Sequence, residues 1–226
     1  MATSAASQAI DNVEAPPGSV GWQRFSLRGL LLVMTLCCVL LGVWAAYVEP
    51  YRVQGSIMAM VGKLNGSYET ELEQGAAWQR WLVTTALGND RFVRVTGVDL
   101  SATAANDATL AEVGRLRGLE ELKLDRSRIT DRGLASLRGL EKLRVLSLRY
   151  CQISDDGLAA VETLPRKLEE LALTGARITD ASAAWFEGRS ITDLFIRWTD
   201  ITDDGARRID SLMARGAVHH HSYMAE

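Results

Sequence analysis

The chain has 226 residues, 47% of them hydrophobic, and a formal net charge of −3. That hydrophobic share excludes a disordered chain. The faint acidity argues against a nucleic-acid binder, which needs a basic excess to meet phosphate. Three cysteines, Cys37 beside Cys38 and Cys151 alone, exclude both a disulfide framework and a CxxC zinc or redox motif.

Residues 1–24, rich in Ala and Ser with Pro16 and Pro17, read as a flexible N-terminal tail. A transmembrane helix is expected over 25–49. Its centre, GLLLVMTLCCVLLGVWAAYV from Gly29 to Val48, carries no charge, and at about 1.5 Å per residue it covers about 30 Å, a bilayer's hydrocarbon thickness. Trp22 and Phe25 precede it and Trp44 and Tyr47 lie near its far end, where aromatic rings favour the headgroup layers. The apolar run is long for a cleavable signal peptide and its leader holds Asp11 and Glu14, so a retained single-pass anchor is expected, meeting lipid through residues 29–48. Arg24 and Arg28 sit closer to the span than Arg52 and Lys63, which predicts a cytoplasmic N-terminus and an extracytoplasmic remainder.

Residues 50–94 read as a helical N-terminal cap. YRVQGSIMAMVGKL places Val53, Ile57, Met60 and Val61 on one helical face, and Asn65-Gly66 then punctuates. AAWQRWLVTTAL offers Trp78, Trp81, Leu82 and Leu87, which are expected in the core.

From 95 to 214 the chain repeats itself five times. VTGVDLSATAA, LEELKLDRSRI, LRVLSLRYCQI, LEELALTGARI and ITDLFIRWTDI begin at Val95, Leu119, Leu143, Leu168 and Ile191, at intervals of 24, 24, 25 and 23 residues. Alternation at Leu122/Leu124, Leu146/Leu148 and Leu171/Leu173 predicts short strands with one face inward, each pairing in parallel with its copy. A small residue follows (Thr103, Ser127, Cys151, Ala176, Thr199), where the chain turns away from the strand. Ile129, Ile153, Ile178 and Ile201 re-enter the core. Thr130, Ser154, Thr179 and Thr202 come next as expected helix caps, with Asp131, Asp155, Asp180 and Asp203 in the first helical turn; Asn106 and Asp107 serve the first copy. The acidic pairs Asp155-Asp156 and Asp203-Asp204 lack calcium-loop spacing. Residues 215–226, with His219, His220 and His221, read as a second flexible tail.

The pattern L-x-x-L-x-L-x-x-small-x-I with an ITD-x-G-L tail resembles the cysteine-containing leucine-rich repeat. The resemblance implies an α/β fold: a short right-handed solenoid, with parallel strands on one face and helices on the other, behind one transmembrane helix. The order FSLRGLLLVMTLCCVLLG, YRVQGSIMAMVGKLNGSYETE, AWQRWLVTTALGNDRFVRVTGVDLS and then ITD repeats, over about residues 25–210, is similar to a bacterial family of single-span leucine-rich-repeat proteins. That likeness implies architecture and transfers no functional residue; Ala183 and Ala206 depart from the usual leucine.

No Ser-His-Asp set can form in the repeats, because every histidine lies at 219–221, and HExxH, GxSxG and phosphate-loop motifs are missing. An enzyme is not expected, nor a cofactor or metal. The outward strand slots hold Lys123, Asp125 and Arg126, then Arg149 and Tyr150, then Thr174, then Phe195, Arg197 and Trp198. They form an expected protein-binding strip, since Tyr, Trp and Arg are enriched at hot spots. Tyr150 and Trp198, two coils apart over Gly175, are expected about 10 Å apart as a groove, and Arg149 and Arg197 as a free basic pair. The expected function is a membrane-anchored module that mediates protein–protein interaction with an unidentified protein or peptide. Alternatives are a self-associating structural envelope component, through an open strand edge, or a substrate-adaptor-like repeat protein of the F-box type.

Overall fold

A computed structural model describes residues 27–72, 75–88 and 93–219. The expected tail at 1–24 and the residues His220 and His221 lie outside these. The chain divides after Gly42 into two compact units. Helix α1 (Leu27–Tyr47) begins in the first. Among the described residues, one helical stretch is long and apolar enough to cross a membrane. Its side chains from Leu30 to Leu41 point outward and are largely exposed.

The second unit is built on one sheet of seven strands in the order β1 to β7. Helix α2 (Glu49–Lys63) buries Ile57 and Val61 against it. Strand β1 (Ser67–Leu72) then runs antiparallel to β2 (Val93–Asp99), with helix α3 (Ala77–Leu87) between them in sequence. The cap is therefore not all helical, as expected, but contains an edge strand. Its aromatic residues are also placed differently: Trp78 and Trp81 are exposed, and α3 buries Val83 instead.

From β2 onward every strand is parallel to the last: β3 (Glu121–Lys123), β4 (Val145–Ser147), β5 (Lys167–Ala172), β6 (Ser190–Phe195) and β7 (Arg215–His219). The register stacks Val98, Leu122, Leu146, Leu171, Leu194 and Val218 in one column. Returning segments cover the inner face. They are α4 (Asp107–Val113), α5 (Asp131–Leu134) with a 3-10 turn after it, α6 (Asp155–Ala160), a 3-10 stretch over Asp180–Phe186, and α7 (Asp203–Leu212). Each buries an i, i+3 pair, from Leu110/Val113 to Ala206/Ile209. The fold is thus α/β, a leucine-rich-repeat solenoid. Its sheet runs one strand further than expected, because β7 occupies the start of the stretch read as a tail.

The ITD motif works between coils more than within them. Asp107 Oδ1 accepts the main-chain N–H of Thr130 at 2.8 Å, and Oδ2 accepts the Thr130 hydroxyl at 2.6 Å. Asp131 holds Ser154 in the same way (2.8 and 2.6 Å), Asp155 holds Thr179 (2.9 and 2.7 Å) and Asp180 holds Thr202 (2.8 and 2.7 Å). Thr130 and Ser154 make no side-chain cap, contrary to expectation, whereas Thr179 and Thr202 also accept from Ala181 and Gly205 N–H. The glycine of ITD-x-G-L follows from this arrangement. A Cβ at Gly133, Gly157 or Gly205 would collide with the carboxylate of Asp107, Asp131 or Asp180.

Gly157→Ala should therefore cost about 1–3 kcal/mol by overpacking. Gly139→Ala, whose Cβ meets nothing nearer than Gly114 O at 4.0 Å, should leave stability nearly unchanged. Urea unfolding of the two variants checks this, and equal costs would contradict the assigned carboxylate contacts.

Candidate functional site

After each of β2 to β6 the backbone turns left-handed. Ala102, Arg126, Tyr150, Gly175 and Trp198 occupy this slot with φ of 55°, 55°, 58°, 72° and 53°. Only glycine takes such a conformation without steric cost; other residues lose about 1–2 kcal/mol there. Three coils nonetheless place Arg, Tyr or Trp in it, and Tyr150 and Trp198 remain 43% and 52% exposed. Their burial in the core thus does not explain them.

The two aromatic rings do not frame a 10 Å groove. They lean together over Gly175, with centroids 5.9 Å apart and planes tilted by 32°. A Cβ on Gly175 would lie 2.5 Å from the Tyr150 ring, so glycine is what lets the rings meet. The Arg126 guanidinium lies 5.3 Å from the Tyr150 centroid, and that of Arg197 5.5 Å from Trp198. Arg126, Tyr150, Trp198 and Arg197 thus form one continuous cation–aromatic ridge.

A second row runs beside it. Arg149 is not free, as expected, but bonds Glu170 at 3.0 Å and lies 5.4 Å from the Phe195 centroid. Phe195 stacks on His219 at 4.8 Å and 17°, and His219 Nε2 is 3.1 Å from Asp193. Asp125 turns back into the fold, where Oδ1 accepts the Arg149 N–H at 2.9 Å and the Ser147 hydroxyl. Lys123 lies 3.7 Å from Glu121. Arg197 keeps a buried Nε without a hydrogen-bond partner. So the structure brings Arg126, Arg149, Tyr150, Phe195, Arg197 and Trp198 together, and assigns Asp125 to holding the turn.

Sequence reasoning missed His219, Glu170 and Asp193. The repeat period could have found the first, because Val218 follows Leu194 by one coil and pairs with it. It also missed Arg189. This buried guanidinium donates to the carbonyls of Trp185, Leu164, Pro165 and Glu162, and lies 3.8 Å from the Trp185 ring centroid. Burial first, then Arg166, lowers its pKa. No spacing signals such a residue.

Elsewhere the chemistry is sparse. A cavity of about 930 Å³ lies between the cap and the first coils and touches Gln54, Arg94, Arg115 and Leu116. Arg94 already bridges Glu71 and Glu120, and Arg115 pairs with Glu112. Among the described residues no group of three or more His, Cys, Asp or Glu could hold a metal. Cys151 is buried, donates to Leu124 O at 3.1 Å, and has its pKa raised, chiefly by burial. It is a packing residue rather than a nucleophile.

Ala102 occupies the left-handed slot, exposed and with nothing to pack, so it isolates the backbone cost. Ala102→Gly should stabilise the chain by up to about 1 kcal/mol, after glycine's greater unfolded-state entropy is subtracted. A thermal melt with no gain or a loss would show that the slot carries no strain.

A search among curated proteins finds no match. A family model described as leucine-rich repeat matches residues 139–161, the coil that contains β4, Tyr150, Cys151 and the ITD-type segment at Ile153. The match and the coil geometry together support a leucine-rich-repeat protein.

Proposed function

We propose that the chain is a membrane-anchored interaction module of the bacterial single-span kind, with the solenoid on the extracytoplasmic side. Helix α1 is the anchor, and the ridge of Arg126, Tyr150, Trp198 and Arg197 is the contact surface for a protein or peptide. Leucine-rich-repeat domains typically serve protein–protein interaction. One observation carries the choice of surface: Tyr150 and Trp198 sit exposed in a backbone slot that costs free energy for any residue but glycine. Ala102 shares the slot, so the mark of this surface is the large exposed aromatics kept there, and paired aromatics flanked by arginine match hot-spot composition. Nothing in the site offers a nucleophile with its base, so binding rather than catalysis is the reading.

Partners captured from native membranes should be lost with the double change Tyr150→Ala and Trp198→Ala. They should be retained when two exposed residues of the helical side, Arg132 and Glu187, are changed to alanine. Equal loss in both, or in neither, rules the ridge out.

A second reading is self-association. Strands β1 and β7 are both edges of the sheet among the described residues, and open edges pair readily. Light scattering of the full chain in detergent separates the two: a monomer supports ligand binding, and a concentration-dependent polymer supports assembly.

A further inference from the structure

Two of the largest side chains in the cap have no place in its core. Helix α3 reads AWQRWLVTTAL and turns Val83 inward. At 100° per residue, Trp78 and Trp81 fall together on the opposite face, where they are 52% and 66% exposed. The Trp78 ring meets Tyr47 edge-on, with centroids 5.0 Å apart and planes at 71°. Tyr47 is the last residue of α1, and Trp44, one turn earlier, is 42% exposed. The exposed indoles of α3 therefore continue an aromatic set that begins where the apolar helix ends. α3 has no acidic residue, and its one basic residue, Arg80, is exposed and has no ion pair among the described residues.

Indole rings favour the headgroup layer because they pair an apolar body with an N–H donor, and arginine beside them can reach lipid phosphate. We propose that α3 is an interfacial helix: its Trp78–Trp81 face sits in the phospholipid headgroup layer at the end of α1. This rests on the reading of α1 as the anchor and is independent of the ridge on the sheet. The occupant of the face is the lipid surface, because the face is continuous with the aromatic end of the apolar helix. The cap is then held to the bilayer at a second point, beyond the anchor itself.

The test uses the full chain in phosphatidylcholine–phosphatidylglycerol vesicles, with and without lipids brominated close to the headgroup. Bromine quenches nearby tryptophan fluorescence. Replacing both Trp78 and Trp81 by Phe keeps an apolar face but removes its reporters. The lipid-quenchable signal should fall by about half, since Trp22 and Trp44, at the ends of the apolar run, remain. Trp198→Phe should leave that signal unchanged. A double variant with undiminished quenchable signal overturns the proposal and leaves the face to a protein partner. So does a large loss of Tm in the double variant, which would mean that the indoles are buried in protein contacts. Alkaline carbonate extraction, run in parallel, separates the two readings. Release of the chain from the vesicles sinks the anchor and this inference together; retention with undiminished quenching sinks this inference alone.

Discussion

The solenoid depends on a carboxylate that belongs to one coil and is used by the next. Each of Asp107, Asp131, Asp155 and Asp180 accepts one main-chain N–H and one hydroxyl from the coil above it. Hydrogen bonds to a charged group are stronger than neutral ones, worth about 1.5–3 kcal/mol. Here they fix the spacing between coils on the side remote from the strand ladder. Isolated parallel bridges at Thr130–Gln152, Ser154–Arg177 and Thr179–Asp200 lie at the same points. Three parts of the motif follow from this one contact: a hydroxyl residue to donate, an aspartate to accept, and a glycine to leave room for the carboxylate below. The coil with Ser182 in the glycine slot winds its return segment as 3-10 helix.

A coil clamped in this way has little freedom at its other corner. The chain must leave the strand, place a small residue under the turn, and reach the next isoleucine within three positions. The left-handed slot meets that demand, and the small residues below it are buried or half-buried at Thr103, Ser127, Cys151, Ala176 and Thr199. Because the slot's side chain points away from the core, packing does not dictate its identity. The slot can therefore vary in chemistry at a modest conformational cost. Core demand and surface chemistry are thus separated by one residue along the chain.

Along the strand starts, charges alternate across neighbouring strands. Glu71 meets Arg94 at 3.1 Å, Arg94 meets Glu120 at 3.4 Å, and Arg144 bridges Glu120 at 3.3 Å and Glu169 at 2.5 Å. The Glu169 hydrogen bond, ahead of that from Glu120, raises the Arg144 pKa. Exposed pairs contribute little each. Their alternation nevertheless penalises a slip by one coil, which would set like charges side by side.

The repeat, its inward leucines and isoleucines, the return segments and the small slot were all legible in the sequence, because each is a local demand repeated at one period. Leu122, Leu146, Leu171 and Leu194 could be read as one column for that reason. The arrangement of the surface was not legible. Spacing placed Tyr150 and Trp198 in the same slot, but only the fold brings their rings together over Gly175, since ring contact depends on side-chain rotation. Spacing marked Arg149 as outward, but Glu170 on the neighbouring strand claims its charge. The aromatic cluster of α3 points to a core in the sequence; which face of α3 turns inward depends on what packs beside it, and Val83 wins. Strand β7 was hidden because a short edge strand with one large apolar residue, Val218, carries almost no local pattern and is specified by the strand it pairs with. Sequence by itself determined which residues of the repeats the core would take, since burial there follows period; tertiary structure decided which face of α3 turns inward and which polar and aromatic groups face one another, since those contacts join residues far apart in the chain.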